Sequence, residues 1–106
     1  MENKKILGLI GLASKAGKIA FGTDMSIEAI KKHKANLVIV AKDASERTRT
    51  KIQTICESYN TKCIELFDID TLSKAIGKNN KAIIAINDLN FSSEINKIIN
   101  GGDIIG

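Results

Sequence analysis

The sequence predicts an α/β protein in which one sheet is sandwiched between helices. Its 106 residues, 43% of them apolar, have the size of one ordinary domain and can bury a single core. Two continuous apolar runs rich in Val and Ile, residues 37–41 and 82–86, are typical of central strands that are buried on both faces. Helical patterns alternate with these and two further strand candidates. No linker, repeat or low-complexity block divides the chain, so we expect one domain over residues 1–106.

The chain begins with an amphipathic helix, which Gly17 is well placed to end. Apolar residues at i, i+3, i+4 and i+7 form its buried face: Ile6, Leu9, Ile10 and Ala13. The segment from Gly11 onward, GLASKAGKI, lacks the spacing and the hydroxyl of a phosphate-binding P-loop. Gly8 and Gly11 have the spacing of a GXXG loop, but the residues between them are apolar, as on a helix face. We therefore interpret both as packing glycines.

A turn at Gly22 separates a short strand candidate, residues 18–21, from a second helix that extends to about residue 32. Thr23 or Asp24 offers a side-chain oxygen that could cap this helix. The N-terminus of a helix has free N–H groups and the positive end of the helix dipole, so it can receive an anionic oxygen. Lys15 and Lys18 precede the turn in sequence, and Lys31, Lys32 and Lys34 lie one to three helical turns beyond it.

The third helix and a third strand follow the first long apolar run. Residues at helical spacing mark the helix: Thr48, Ile52, Ile55, Cys56 and Tyr59. The next segment, residues 63–67, follows Lys62 and contains Glu65 among apolar residues. We therefore expect a strand nearer the edge of the sheet.

Two more helices complete the predicted order. Asp68 or Asp70 can cap a short helix that Gly77 terminates. The last helix begins near residues 88–92 and is expected to stop at Gly101 and Gly102. Its predicted buried residues are Phe91, Ile95, Ile98 and Ile99.

Charge is distributed unevenly along the chain, which has a formal net charge of +4. Residues 1–53 contain eleven Lys and Arg against five Asp and Glu, whereas residues 54–106 contain five against seven. Such an asymmetry attracts polyanions to one face. The start of the chain has no cleavage site typical of a secretory signal, and no apolar run approaches the length of a membrane helix. We expect a cytoplasmic protein whose Cys56 and Cys63 remain thiols in the core.

Few residues in the sequence indicate catalysis or the binding of a metal or cofactor. Asp43 and Asp88 follow the two most buried strands, where a carboxylate pair could act, but both precede helices and are better interpreted as caps. His33 lies among lysines without a second ligand nearby. The four aromatic residues fit the core pattern, so stacking on single strands is not expected. We predict no cofactor, no metal, no membrane and no small-molecule substrate.

Residues 22–32, residues 35–44, residues 72–78 and residues 82–86 resemble the kink-turn-binding ribosomal-protein family of archaeal and eukaryotic ribosomes, and most closely its bacterial YlxQ-like branch. The similarity extends over nearly the whole chain. It implies a three-layer α/β/α sandwich with a mixed four-stranded sheet. It also implies binding to a sharply bent RNA with tandem sheared G·A pairs.

The resemblance also implies which residues bind RNA. Gly22 and Thr23 match the family's Gly-Thr-Asn-Glu segment, whereas Asp24 and Met25 replace its asparagine and glutamate. Asp24 can accept hydrogen bonds from a guanine edge but lacks amide donors, and Met25 can do neither. Glu28 stands where the family has a lysine and would repel phosphate, while a basic position survives at residue 32.

A second RNA contact of the family, an apolar loop before the last strand, corresponds to residues 77–81. Here the loop is polar and basic, which suits phosphates better than an unstacked base. We predict a ribosome-associated or accessory protein that binds structured RNA without catalysis. The alternative is a protein-interaction subunit that kept the fold and lost the RNA specificity. The predicted RNA-binding residues are Lys15, Lys18, Gly22, Thr23, Asp24, Lys32, Lys78 and Lys81.

Overall fold

The computed structural model describes residues 2–101, and these residues form helices and strands in the predicted alternating order. The elements are α1 (Glu2–Lys15), β1 (Ile19–Phe21), α2 (Thr23–Lys31), β2 (Leu37–Val40), α3 (Glu46–Ser58), β3 (Cys63–Glu65), α4 (Ile69–Ala75), β4 (Ile83–Ile86) and α5 (Leu89–Ile99). Each predicted helix and strand is present, within a few residues of its expected bounds.

The four strands form one mixed sheet in the order β1-β4-β2-β3. Strand β4 runs antiparallel to both β1 and β2, whereas β2 and β3 are parallel. The two long apolar runs supply the central strands, as predicted, and every residue of β2 and β4 is buried. Strand β3 lies at an edge and stops at Glu65, earlier than expected. Phe67 has a φ of 64°, which is incompatible with an extended strand.

Helices cover both faces of the sheet and confirm the three-layer α/β/α sandwich. Because side chains alternate along a strand, the residues of β2 divide between two cores. On one face, Leu37 and Ile39 pack in a core with residues of α1, α4 and α5. On the other face, Val38 and Val40 pack in a core with residues of α2 and α3. This arrangement places α2 directly beside β1 and β4, where its ends set the position of the candidate site.

Helix ends follow the predicted chemistry at several positions. Gly17 and Gly77 have φ values of 74° and 68°, the left-handed conformation that terminates a helix. The side chain of Asp68 accepts from the Thr71 N–H at 2.8 Å. Hydrogen bonds from the Thr71 side chain and from this N–H lower the pKa of Asp68. Asp68 is therefore the cap of α4, one of the two residues that the sequence offered.

Gly11 meets its predicted packing role, whereas Gly8 and Ile99 differ from the prediction. Gly11 is a packing glycine, because a Cβ there would lie 3.3 Å from the carbonyl oxygen of Ala75. Gly8 is not, since no heavy atom lies within 4 Å of the same position. Ile99 is 36% exposed, so the prediction that it is buried is wrong; it is the last residue of α5. Gly102, part of the predicted stop of the last helix, lies outside the described residues.

The two cysteines are free thiols. Cys56 is buried in the core under α3, while Cys63 is partly buried at the start of β3. A hydrogen bond between the two thiols and burial raise the pKa of Cys56. No helix among residues 2–101 combines the length and the apolar character that crossing a membrane requires.

Candidate nucleic-acid interface

Gly22, and not Thr23 or Asp24, occupies the N-cap position of α2, which overturns the prediction that one of those two residues caps the helix. Gly22 is the N-cap residue, with φ 88° and ψ 166°, and no side-chain hydrogen bond from residues 2–101 caps the helix. A side chain caps from the N-cap position, but Thr23 and Asp24 already belong to the first turn. The N–H of Gly22 donates to the carbonyl of Ile83 at 2.8 Å, which fixes the turn to the start of β4.

The missing cap leaves backbone donors available at this end of α2. The bond from the Ser26 N–H to the Gly22 carbonyl, at 3.1 Å, is the first of the helix. The N–H groups of Thr23, Asp24 and Met25 precede it and have no acceptor within the helix. Together with the positive end of the helix dipole, they form a set of donors oriented toward an anion.

Two lysines from the loop between α4 and β4 lie beside this turn. The Nζ atoms of Lys78 and Lys81 are 4.6 Å and 5.7 Å from the centroid of the Phe21 ring, within cation–π range. Lys81 Nζ also lies 3.8 Å from the point where a Cβ on Gly22 would stand. Neither lysine forms an ion pair within the part of the chain that the structure describes. We call this group the Gly22 surface: the three N–H groups, Phe21, Lys78 and Lys81.

A buried serine fixes the loop that carries these lysines. Ser73 is a polar residue of α4, but it is only 2% exposed. Its Oγ accepts from the Lys81 N–H at 2.7 Å and donates to the Lys81 carbonyl at 3.2 Å. Since both backbone groups of Lys81 are held by Ser73, α4 fixes the backbone from which the Lys81 side chain extends. Neither Ser73 nor Phe21 is among the residues predicted from the sequence, because their contacts with Lys78 and Lys81 are not visible as a local pattern.

The structure brings five of the eight predicted RNA-binding residues together and places the other three elsewhere. Gly22, Thr23, Asp24, Lys78 and Lys81 meet at one end of β1 and α2. Lys18 immediately precedes β1, at the opposite end of this strand from Gly22. The rise per residue of a strand separates Lys18 from Gly22 by about 13 Å. The Lys18 carbonyl accepts from the Asn87 N–H. Lys32 ends α2, about 15 Å from Gly22 at the rise of a helix. Lys15 borders a groove between α1 and α4.

Lys32 is not a free cation. Its Nζ lies 2.9 Å from Glu28 Oε2, one helical turn earlier, and this hydrogen bond lowers the pKa of Glu28 below its ordinary value. Both side chains are more than half exposed, so the pair is weakly held. A Glu placed four residues before a Lys is the favourable helical order, and this spacing could have revealed the pair from the sequence.

Asp43 and Asp88 do not form a carboxylate pair. The side chain of Asp88 accepts from the Phe91 N–H at 2.9 Å and caps α5, as predicted. Asp43 was expected to cap the helix that follows it, but Ser45 caps α3, and Asp43 accepts from the Ile69 N–H of α4 at 2.9 Å. Because β2 and β4 are antiparallel, the residues that follow them lie at opposite ends of the sheet. The two carboxylates therefore serve helix N-termini.

Comparison with known proteins identifies relatives over almost the full length of the chain. The model of the ribosomal protein L7Ae/L30e/S12e/Gadd45 family matches residues 4–96. The RNA-binding protein YlxQ of Enterococcus faecium is 38% identical over 100 residues, which cover 94% of this chain and 96% of that protein. The protein of the same name from Bacillus subtilis is 30% identical over 95 residues, which cover 90% and 95%. Neither the family description nor these names describes an enzyme.

Solved structures share the fold. A protein with unknown function from Bacillus halodurans is similar with a TM-score of 0.86 at 30% identity, over 91% of this chain and 97% of that one. The Giardia lamblia 15.5kD RNA binding protein gives a TM-score of 0.80 at 20% identity, over 93% and 88%. At this identity the Giardia lamblia protein supports the fold alone.

Proposed function

We propose, since the chain belongs to the ribosomal protein L7Ae/L30e/S12e/Gadd45 family and to its bacterial YlxQ-like branch, that it binds structured RNA through the Gly22 surface. The single observation that carries the proposal is that uncapped helix N–H groups lie beside two lysines that form no ion pair within residues 2–101. The names of the two YlxQ relatives describe RNA-binding proteins and support it. The whole chain acts as one RNA-binding domain without catalysis.

The Gly22 surface favours contact with the RNA backbone over contact with the faces of bases. A phosphate that approaches α2 gains charge-assisted hydrogen bonds from the N–H groups and from both lysines. The Phe21 ring is already covered by Lys78 and Lys81, so it offers no open platform for an unstacked base. Recognition therefore depends on an RNA shape that presents phosphates in the right places.

We further propose that the preferred shape is a kink-turn or a related sharp bend, and that the protein works in the cytoplasm as a ribosome-associated or accessory protein. Asp24 is exposed in the first turn of α2, where its carboxylate can accept from a guanine edge. Met25 is 46% exposed and has no comparable polar group. Base reading at this surface thus rests on Asp24, and the phosphate contacts supply most of the affinity.

The salt dependence of binding tests whether the protein grips RNA phosphates at all. The probe is a stem-loop RNA with a three-nucleotide bulge and tandem G·A pairs, titrated by fluorescence anisotropy between about 50 and 200 mM salt. With several phosphates neutralised, log Kd should rise with log salt with a slope of several units. A slope near zero would contradict binding to RNA phosphates.

The proposed preference for a bent RNA is tested with a straight RNA. Replacing the tandem G·A pairs with Watson–Crick pairs and removing the bulge keeps the charge density but removes the bend. We expect tighter binding to the bent RNA at every salt concentration. Equal affinity for both RNAs would retain RNA binding and reject the preference for a bend. Pull-down with and without ribonuclease addresses the protein-interaction alternative, which predicts partners that persist after RNA digestion.

A further inference from the structure

Cys56 and Cys63 face each other between α3 and the edge strand β3. Cys56 lies near the end of α3 and is buried in the core on the α2 and α3 side of the sheet. Cys63 is the first residue of β3 and pairs with Val38, which belongs to the same core. Residues paired across a ladder direct their side chains to the same face of the sheet, so the Cys63 thiol points toward α3. The two thiols meet there in a hydrogen bond.

Backbone hydrogen bonds fix both ends of the segment between the two cysteines. The Thr61 N–H donates to the Cys56 carbonyl at 2.8 Å, and the Val38 N–H donates to the Lys62 carbonyl at 2.9 Å. Asn60 has a φ of 57°, the left-handed conformation through which the chain leaves the helix. The fold therefore holds the two thiols side by side, as formation of a disulfide requires.

A cleft of about 290 Å³ reaches this pair of thiols, and both cysteines line it together with Gln53, Glu57 and Thr61. Cys63 lies on an edge strand and is only partly buried, whereas Cys56 is 1% exposed. A molecule as small as hydrogen peroxide can enter the cleft and meet Cys63 first. Cys56 lies behind it, in contact with the Cys63 sulfur.

The hydrogen bond makes the two thiols chemically unequal. The Cys56 thiol donates to the Cys63 sulfur, which stabilises the Cys63 thiolate and lowers the pKa of Cys63, although burial and the Glu65 carboxylate act in the opposite direction. The same hydrogen bond and burial raise the pKa of Cys56. The thiolate is the form of cysteine that reacts with peroxides. Cys63 is therefore the reactive member of the pair, and Cys56 is the thiol that can resolve its oxidised form.

We propose that Cys63 and Cys56 are a peroxide-reactive dithiol that closes to an intramolecular disulfide between α3 and β3. The Cys63 thiolate attacks one oxygen of hydrogen peroxide, the O–O bond breaks, and the products are a Cys63 sulfenic acid and hydroxide. The Cys56 sulfur then bonds to the Cys63 sulfur as the sulfenic S–O bond breaks, and the Cys56 proton leaves with that hydroxyl group as water. The peroxide gains the two electrons that the sulfurs lose. In a reducing compartment, disulfides of this kind are transient and serve redox sensing.

Trypsin cleaves after Lys62, between the two cysteines, which allows a direct test on the wild-type protein. Reduced protein is treated with hydrogen peroxide, the remaining thiols are blocked with iodoacetamide, and the digest is analysed by mass spectrometry without reductant. We expect the chain to lose the mass of two hydrogen atoms and the peptides 52–62 and 63–74 to be recovered as one disulfide-linked pair. Dithiothreitol should restore both thiols. Two unmodified thiols, or an oxidation product that dithiothreitol does not reverse, would overturn the proposal.

Protein unfolded in urea is the control for the contribution of the fold. At the same peroxide concentration, the folded protein should form the disulfide on the order of 10-fold faster, because the thiols are already in contact. Equal rates, or a faster reaction in urea, would mean that the folded arrangement does not promote the reaction. Since β3 and β1 are opposite edges of the sheet, these results do not depend on RNA binding at the Gly22 surface.

Two matched serine variants identify the sulfur that the peroxide oxidises. In Cys56→Ser, a hydroxyl can still donate to Cys63 but no disulfide can form, so the Cys63 sulfenic acid should accumulate and be trapped by dimedone. In Cys63→Ser, the buried Cys56 should give roughly 10-fold less dimedone adduct. Circular dichroism checks that both variants are folded. Equal labelling of the two folded variants would contradict the assignment of Cys63 as the reactive thiol.

Discussion

The two ends of α2 are both rich in lysine, but they differ in what those lysines can offer an RNA. At the Gly22 end, Lys78 and Lys81 come from another part of the chain, lie over an aromatic ring and are unpaired within residues 2–101. At the other end, Lys32 already binds Glu28, and the helix presents its negative pole. A lysine therefore contributes to RNA binding only where neighbouring groups leave its charge unpaired.

The largest effect should follow removal of both loop lysines. In Lys78→Gln/Lys81→Gln, two charge-assisted contacts to phosphate are lost, so affinity for the bent RNA should fall on the order of 100-fold. The slope of log Kd against log salt should decrease by about two, one for each lost phosphate contact. Fluorescence anisotropy across a salt series measures both quantities.

Lys62→Gln/Lys97→Gln is the matched control for this variant. It changes the net charge equally, but Lys97 lies 3.6 Å from Glu94 on α5 and Lys62 immediately precedes β3, at the other edge of the sheet from β1. Its affinity should change by only a small factor through the general field of the protein. If the two double variants weaken binding equally, net charge and not the Gly22 surface determines affinity.

The difference between the two ends was only partly predictable from the sequence. Apolar spacing and turn residues determine where helices and strands form, so the sequence predicts a helix directly after the Gly22 turn and a basic loop at residues 77–81. Lys15 and Lys18 are predicted to join them because they precede the turn in sequence, and Lys32 because it matches a basic position of the resembled family. A helix and a strand of this length separate their two ends by about 13–15 Å, and this separates Lys18 and Lys32 from Gly22.

The contacts that organise the Gly22 surface depend on tertiary structure. Ser73 looks like an ordinary polar residue of a short helix, and only the packing of the following loop shows why it is buried. Strand direction is equally invisible in a local pattern. Asp43 and Asp88 look equivalent because each follows an apolar run, but the antiparallel pairing of β2 and β4 separates them.

Gly22 allows a test of how far the Gly22 surface depends on backbone conformation. With φ 88° and ψ 166°, Gly22 occupies a region that is essentially restricted to glycine. Gly22→Ala should therefore lower the free energy of unfolding by about 1–3 kcal/mol, as measured by urea denaturation. A mild loss of RNA affinity should accompany it, because the first N–H groups of α2 shift.

Gly8 supplies the control for Gly22→Ala. It lies inside α1 with no heavy atom within 4 Å of a Cβ. Gly8→Ala should raise the free energy of unfolding by up to about 1 kcal/mol, since alanine is the better helix former. Equal effects of the two substitutions on stability would show that Gly22 is not conformationally special.

The smallest effect concerns the C-terminal end of α2. Releasing Lys32 should give this end an unpaired lysine, as at the Gly22 end. Glu28→Gln removes the carboxylate that holds Lys32 and a negative charge beside the RNA. An exposed pair of this kind contributes about 0.2–1 kcal/mol, so affinity should rise by roughly 1.5- to 5-fold. Glu94→Gln changes the net charge equally and frees Lys97 on the opposite face, and it should raise affinity less.

The pH dependence separates release of Lys32 from other causes of this gain. The hydrogen bond from Lys32 holds the pKa of Glu28 below its ordinary value, so the carboxylate stays charged at neutral and mildly acidic pH. The pair is therefore present at neutral and mildly acidic pH and is lost only as the pH falls through the lowered pKa. The affinity ratio of Glu28→Gln to wild type should be constant between about pH 5.5 and pH 8. A ratio that changes within this interval would mean that a titratable group other than Glu28 controls binding at this end of α2.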